Sequence, residues 1–302
     1  MKKSRLIFLI IITLAISLFS KSFQPYTIGT ITDKSINEIK PMIQEKLSMN
    51  GFKILGDYMP AKDSKRFVII VTNDDLLNSV KKIEGLTGFA AAFRIAFTRD
   101  DKTKKTTISY MTPEYWGIAY FRDNFEKVST NYSNLKKSIE KVFNDFTKHN
   151  GNGFGSEDGI ESDDLEDYQY MFGMPEFDDT DELKEFDSYK TAIDKIDSNL
   201  KKGIPNLELV YSIEIPEKNL KLYGIGLGGE NGEEHFLPII DISKPKHTAF
   251  LPYEILVKDN IVHMLHGKFR IALSFPDLSM GTFMEIMSTP GDIEELMMKA
   301  TE

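Results

Sequence analysis

The 302-residue sequence predicts an α+β fold built from two similar two-layer α/β sandwich modules. Apolar residues make up 41% of the chain, with 21 Phe and 12 Tyr, which is enough for packed cores. Helical patterns stand apart from runs of consecutive strand patterns, which favours segregated helices over a doubly wound sheet. The pieces on either side of an acidic segment also share a similar length and element order. This predicts two modules packed about a pseudo-twofold axis, with a tandem duplication as an open possibility.

Residues 1–22 have the three parts of a secretory signal peptide. Three cationic side chains lie within the first five residues, an uncharged apolar run covers Leu6–Phe19, and Ser20 and Ser22 have the small-residue spacing of a cleavage site. The apolar run is shorter than the roughly 20 residues of a spanning helix, although an uncleaved anchor stays open. No cysteine is present for a lipid anchor. We therefore expect cleavage after Ser22 and an exported protein, periplasmic or extracellular.

The composition excludes several kinds of chemistry. The chain has no Cys, so disulfides, thiol nucleophiles, zinc–thiolate sites, iron–sulfur clusters and covalent haem attachment are excluded. The net charge is −9 for the whole chain and −13 once residues 1–22 are removed. The acidic segment, residues 156–187, holds fourteen Asp or Glu against one Lys, so the rest of the mature chain is neutral. Such a charge distribution disfavours nucleic acid as a partner.

The first module, residues 23–148, predicts a helix, a group of strands and a closing helix. The first helix has isoleucines at helical spacing, a capping box between Ser35 and Glu38, and Gly51 at its end. A short helix with one apolar face follows the second strand, and a longer one contains the stripe from Tyr132 to Phe146. Strands are predicted at Phe52–Tyr58, Arg66–Thr72, Phe89–Thr98 and Thr106–Met111.

The composition of residues 149–184 predicts an acidic flexible linker between the modules. The segment opens with a Gly-rich run, and like charges at this density favour an extended, solvated chain. Two alternatives stay open. One is a Ca²⁺-responsive segment, although the ligand spacing of an EF-hand is absent. The other is a docking segment that uses its aromatic side chains.

The second module, residues 185–302, again begins with a predicted helix, here over Tyr189–Leu200. The chain predicts a closing helix with Thr289 as N-cap and Pro290 in its first turn. Between the two helices, strands are predicted at Leu207–Ile215, Leu220–Leu227, His235–Ile242, Tyr253–Val257, Ile261–Leu265 and Phe269–Phe275.

Short motifs in the second module carry a family resemblance. They are the strand entry Leu251–Val257, the stretch Ser274–Asp277, and the helix start Ser288–Ile293, with weaker echoes at Gly51–Leu55 and Ser109–Pro113. In these motifs the chain resembles the family catalogued as domain of unknown function 302. The resemblance implies a small two-layer α/β module that tends to pair with another copy, and the two halves here would supply that pair. It implies no activity and no catalytic residues.

The candidate ligand site centres on two arginines. Arg94 and Arg270 each occur in the tetrapeptide Phe-Arg-Ile-Ala, among apolar neighbours where a charge must be paired or reach solvent. Together with Tyr115 and Trp116, they predict an anion-binding cleft with an aromatic lining between the modules. The open alternatives are arginines that cover a solvated sheet face and aromatic rings that belong to the core.

His263 and His266, with nearby methionines, are the candidate metal ligands of a rival hypothesis. On a strand they would point to opposite faces, so chelation requires the strand to break near Gly267. The leading prediction is a non-enzymatic binding or scaffold protein for an apolar or anionic small ligand at the module junction. The alternative is a periplasmic metal- or haem-handling protein or an enzyme that uses the His and Met residues. Whether the chain is an enzyme stays open.

The expected partners follow from these two hypotheses. They are an unknown small ligand or a protein, bound by a monomer with an internal pseudo-dimer or by a homodimer. No cofactor, no nucleic acid and no membrane anchor after signal cleavage is expected.

Overall fold

The computed structural model describes residues 21–146 and 151–302, and within them the fold is α+β, as predicted. The predicted signal peptide therefore lies outside the described residues up to position 20. No helix of the described residues combines the length and apolar character needed to cross a bilayer.

The first half contains a six-stranded antiparallel sheet with the order β3-β4-β5-β6-β2-β7. A separate two-stranded ribbon pairs β1 (Ser22–Phe23) with β8 (Ile160–Glu161). The strands of the six-stranded sheet are β2 (Tyr26–Thr32), β3 (Lys53–Tyr58), β4 (Arg66–Thr72), β5 (Phe93–Arg99), β6 (Thr106–Met111) and β7 (Gly153–Phe154).

Four helices accompany this sheet: α1 (Ile36–Met49), α2 (Asp74–Lys82), α3 (Pro113–Phe121) and α4 (Phe125–Phe143). The capping box of α1 is present, because the Glu38 carboxylate accepts a hydrogen bond from the Ser35 amide at 2.7 Å. Gly51 follows α1 at φ +84°, the left-handed conformation expected there. The sequence pattern does not predict α3, because almost all of its side chains are buried and no polar face marks a helical period.

The second half contains a five-stranded antiparallel sheet with the order β10-β11-β12-β13-β9. Its strands are β9 (Asp181–Glu185), β10 (Leu207–Ile215), β11 (Leu220–Leu227), β12 (Tyr253–Lys258) and β13 (Ile261–Met264). The helix α5 (Ser162–Glu166) precedes β9. The helices that follow β9 are α6 (Tyr189–Lys202), α7 (Glu233–Ile240), α8 (Gly267–Ser274), α9 (Met280–Glu285) and α10 (Thr289–Met298).

The two sheets follow the chain in the same strand order, apart from the extra β7 of the first. The two copies of the tetrapeptide Phe-Arg-Ile-Ala do not occupy equivalent positions in this common order. Arg94 lies on β5, whereas Arg270 lies on α8, so the two copies occupy elements of different type. The Phe-Arg-Ile-Ala match therefore does not mark equivalent positions, and a tandem duplication stays a prediction.

Two predicted strands are helices. His235–Ile242 falls on α7, which starts with Glu233 and Glu234 in its first turn, where the helix dipole favours carboxylates. Phe269–Phe275 falls on α8, whose residues 269–274 are all buried. A short run that is buried on every side has no period that separates a strand from a helix.

The prediction that residues 149–184 form an extended, solvated chain is wrong for their described part. Leu165, Tyr168 and Phe177 are buried, and the Tyr168 hydroxyl donates to the Ala272 carbonyl at 3.0 Å. Arg122 offsets the like-charge repulsion by contacting three carboxylates of the acidic segment, those of residues 167, 176 and 178. Most of β9 also lies within this range.

The two halves share one continuous cluster of buried apolar side chains. Edge strands β3 and β10 meet so closely that a Cβ on Gly56 would lie 2.1 Å from the Val210 carbonyl oxygen. Tyr26 and Tyr115 in the first half donate hydrogen bonds to the carbonyls of Ser274 and Leu273 on α8. The contacts between β3 and β10 and between the first half and α8 are therefore packed core.

Candidate functional site

The four predicted ligand-binding residues do converge at the junction of the two halves. Arg94 on β5, Arg270 on α8, and Tyr115 and Trp116 on α3 are all at most 2% exposed. The guanidinium of Arg270 lies 5.5 Å from the Trp116 ring centroid, a cation–π contact. The alternative in which the arginines cover a solvated sheet face is therefore wrong.

The charges of these arginines are compensated by protein groups, although the buried Nε of Arg94 has no hydrogen-bond partner among the described residues. Glu254 on β12 forms an ion pair with Arg94, and its second oxygen lies 3.5 Å from Arg270. Arg270 also donates to the Tyr120 hydroxyl at 2.7 Å and to the Phe250 carbonyl at 2.8 Å. Burial lowers the pKa of Arg94, but Glu254, Tyr211 and Tyr120 together outweigh this effect and leave the pKa above its usual value.

The aromatic residues are likewise engaged in hydrogen bonds to the backbone. Trp116 donates from Nε1 to the Pro25 carbonyl at 2.7 Å, and Tyr115 donates to Leu273 at the same distance. The cavity beside Trp116 and Tyr120 has a volume of about 10 Å³, which is room for one water molecule at most. This cluster stabilises the junction, and ligand-sized space lies elsewhere.

His263 and His266, the candidate metal ligands, have separate surroundings. The ring of His263 on β13 lies 3.1 Å from the Thr180 hydroxyl. His266 caps α8, where its Nδ1 accepts from the Lys268 amide at 3.1 Å. The strand does end before Gly267, as chelation would require. Among residues 21–146 and 151–302, no group of three or more His, Asp or Glu side chains has metal-binding geometry.

A cleft of about 510 Å³ lies where the β5–β6 hairpin faces the segment that follows α7. We call it the basic cleft. Its first-half residues lie at or just before the start of β4, at the end of β5, in the hairpin loop, and at Ile31 of β2 and Thr107 of β6. Its second-half residues are positions 244–246. Its cationic lining residues are Lys65, Arg66, Arg99, Lys102, Lys105, Lys244 and Lys246.

Three of these cations are neutralised within the protein. Arg66 contacts the buried Asp241, Lys65 contacts Asp101, and Lys244 contacts Asp100. The hydrogen bond from Lys244 holds the pKa of Asp100 well below its usual range, so this carboxylate remains charged and paired.

The other four cations of the basic cleft, Arg99, Lys102, Lys105 and Lys246, have no carboxylate partner among the described residues. Arg99 donates instead to the carbonyls of Asp33 and Lys34 at 2.9 Å. Partial burial lowers the pKa of Lys246. An anion that enters the cleft would therefore meet uncompensated positive charge.

A second cleft of about 500 Å³, here called the apolar cleft, lies between β7 and the residues that follow α8. Phe154, Ile240, Ile242, Phe275 and Leu278 provide its apolar lining. It shares Lys244 and Pro245 with the basic cleft, so these two residues form a common wall.

His247 is the buried titratable group of the apolar cleft. Its Nδ1 lies 3.1 Å from the Ser274 carbonyl, which accepts a hydrogen bond only if Nδ1 carries the proton. Its Nε2 then faces the Ser243 hydroxyl at 3.4 Å. Burial lowers the pKa of His247, which favours the neutral ring.

Neither the basic cleft nor the apolar cleft is predicted from the sequence. The cations of the basic cleft come from two parts of the chain that are 139 residues apart at their nearest, Lys105 and Lys244, and the mature chain outside the acidic segment is neutral on average. The available local signals were the stretch Lys244-Pro245-Lys246-His247 and the lysines of the β5–β6 turn. In comparisons with known proteins, no family model, no curated protein and no solved structure matches the chain.

Proposed function

We propose that this chain is an exported binding protein that takes an anionic small ligand in the basic cleft. The observation that supports it is the group of four cations without carboxylate partners, which face one 510 Å³ cleft in a chain of net charge −9. Pockets of this size suit small organic ligands. Because both halves line the cleft, the site agrees with a ligand at the junction, although its residues differ from the four first predicted.

The lining favours phosphate or carboxylate groups as the recognised part of the ligand. Lys102, Lys105 and Lys246 offer point charges that attract anions without imposing planar geometry, although the Lys246 Nζ already donates one hydrogen bond to the Asp241 carbonyl. Lys246 is partly withdrawn from water, so its attraction for an anion is screened less than that of a fully exposed lysine. We expect moderate affinity with a strong dependence on ionic strength.

The binding test is calorimetry with pyrophosphate as the probe. We expect K102Q/K105Q to weaken pyrophosphate binding by about tenfold at low salt, because two uncompensated charges are lost. The matched control is K201Q/K202Q, which makes the same charge change on two exposed lysines of α6. Equal weakening in both double variants, or no binding to the wild type, would contradict the proposal.

Export rests on residues 1–22 alone. The test is expression of the full chain in a secreting bacterial host, with the mass of the product measured outside the cytoplasm. We expect a protein that begins after Ser22. Retention of residues 1–22 in the membrane fraction would favour the uncleaved anchor.

A second candidate function, an enzyme that uses histidine from the second half, rests on the contact between Ser243 and His247. A neutral imidazole held through Nδ1 can accept a hydroxyl proton at Nε2, which is how a serine nucleophile is activated. Hydrolysis of p-nitrophenyl acetate that is lost in both S243A and H247Q would support it. Metal analysis of the purified chain tests the metal- or haem-handling alternative, which stoichiometric copper or haem would support.

A further inference from the structure

We infer that the ligand of the basic cleft is a single-chain anionic amphiphile whose hydrocarbon part lies in the apolar cleft. This inference rests on the proposed function and adds the chemical class of the ligand. Three features carry it: the common wall of the two clefts, the apolar lining of one of them with its exposed Ile242, and the distribution of charges between them.

The two clefts are adjacent and similar in size. Lys244 and Pro245 line both, and the contact from Lys244 to Asp100 holds their segment against the β5–β6 hairpin. Pro245 has no backbone N–H, so it offers no hydrogen-bond donor at this wall. A ligand that leaves the basic cleft across Pro245 therefore enters the cleft lined by Phe154, Ile240 and Phe275.

The lining of the apolar cleft includes one strongly exposed hydrophobic side chain, Ile242, which is 68% exposed. No residue of α9 is buried, and Thr282 of this helix also lines the cleft. Together with Phe154, Ile240 and Phe275, Ile242 gives the cleft apolar side chains that a hydrocarbon chain can contact.

The charges orient such a ligand. Glu157 and Asp277 line the apolar cleft and repel an anionic group, and Asp277 already accepts hydrogen bonds from Ser156 and from the Glu157 amide. The uncompensated cations lie on the other side of the common wall. An anionic head is therefore favoured in the basic cleft and disfavoured in the apolar one. Two concave clefts suit a single molecule better than a flat bilayer surface.

The test is calorimetry with decyl phosphate below its micelle concentration, with octyl phosphate, inorganic phosphate and decyl maltoside as comparisons. Each methylene moved from water into an apolar site tightens binding by up to about fourfold. We expect decyl phosphate to bind about tenfold more tightly than octyl phosphate, and far more tightly than inorganic phosphate. We expect I242N to weaken decyl phosphate binding at least threefold, while the matched control M49N, at an exposed methionine of α1, leaves it unchanged.

The outcomes separate this inference from the proposed function. Equal binding of inorganic and decyl phosphate, with both weakened in K102Q/K105Q, overturns the amphiphile and leaves the anion-binding function in place. Equal binding of decyl maltoside and decyl phosphate, with no effect of K102Q/K105Q, overturns the function as well. Binding to phosphatidylglycerol vesicles without binding to decyl phosphate overturns the inference in favour of a membrane surface.

Discussion

At the residue scale, the junction depends on one buried carboxylate, Glu254, which is 3% exposed. It pairs with Arg94, lies 3.5 Å from Arg270, and accepts a hydrogen bond from the Tyr211 hydroxyl at 2.5 Å. Two arginines without this partner would be uncompensated charges in a low-dielectric interior. Glu254 therefore allows the two cationic side chains to be buried between the halves.

We expect E254Q to lower the free energy of unfolding by about 3–5 kcal/mol, because it removes one partner of a buried ion pair. Urea denaturation of the purified chain measures the change. The matched control is E295Q, at an exposed carboxylate of α10, which we expect to stay within about 0.5 kcal/mol of the wild type. A loss below about 1 kcal/mol in E254Q would show that the ion pair is dispensable.

A second buried carboxyl group, Glu233 at the start of α7, links this helix to the end of β3. It accepts hydrogen bonds from the Tyr58 hydroxyl at 3.2 Å, the Ala61 amide at 2.8 Å and the Leu227 amide at 3.1 Å. Burial raises the pKa of Glu233 to about 7, against the lowering effect of these hydrogen bonds. The group therefore changes charge near neutral pH.

We expect Glu233 to make the folded state less stable as the pH rises from about 4.5 to about 7, because the folded state holds this proton while the unfolded state has released it. The free energy of unfolding falls by up to about 1.4 kcal/mol per pH unit over this window. In E233Q this fall should be absent, so the difference between wild type and variant changes with pH. Parallel pH profiles of urea stability for the two proteins would contradict the account.

At the scale of elements, the sequence predicts well where local chemistry decides the structure. The strand predicted at Arg66–Thr72 matches β4, because a run rich in β-branched residues and flanked by turn residues favours the strand conformation. The prediction from sequence fails where burial on all sides removes the hydrophobic period, as in α8. It also fails where tertiary contacts determine the secondary structure, as in β9. The four charged residues among the five of β9 give no strand signal, yet the strand pairs with β13.

Two glycines test the strand contact between the halves. We expect G56A to destabilise the fold by about 1–3 kcal/mol, because the new methyl group would meet the Val210 carbonyl at the meeting of β3 and β10. We expect G291A, in α10 with open space around it, to be neutral or to stabilise by up to about 1 kcal/mol. Thermal unfolding of the two variants measures both changes, and a neutral G56A would argue against the close contact.

At the scale of the whole molecule, the two halves share one core rather than a hinge. Trp116 is the only tryptophan of the chain, and it lies buried at the junction. Arg94, Arg270, Tyr115 and Trp116 lie together at the junction, and the role in ligand binding that the sequence suggests for them stays a prediction. Sequence alone does not reveal that Glu254, 160 residues from Arg94, occupies the space between the arginines. Nor does it reveal the clefts, which exist only once distant loops meet.

We expect the described halves to unfold together in one cooperative transition, because the buried network and the common core connect them. Trp116 fluorescence reports on the junction, while far-ultraviolet circular dichroism reports on all helices. The two urea transitions should coincide. A fluorescence change that precedes the loss of helix would show that the halves separate first.

An anion in the basic cleft would shield the lysines that line it, and lysine acetylation footprinting with and without pyrophosphate measures this shielding. Mass spectrometry gives the acetylation rate of each lysine in the wild-type protein. We expect saturating pyrophosphate to slow acetylation of Lys102, Lys105 and Lys246 severalfold and to leave Lys201 and Lys202 unchanged. Equal rates at all five lysines, or protection that is uniform over the surface, would contradict anion binding in the basic cleft.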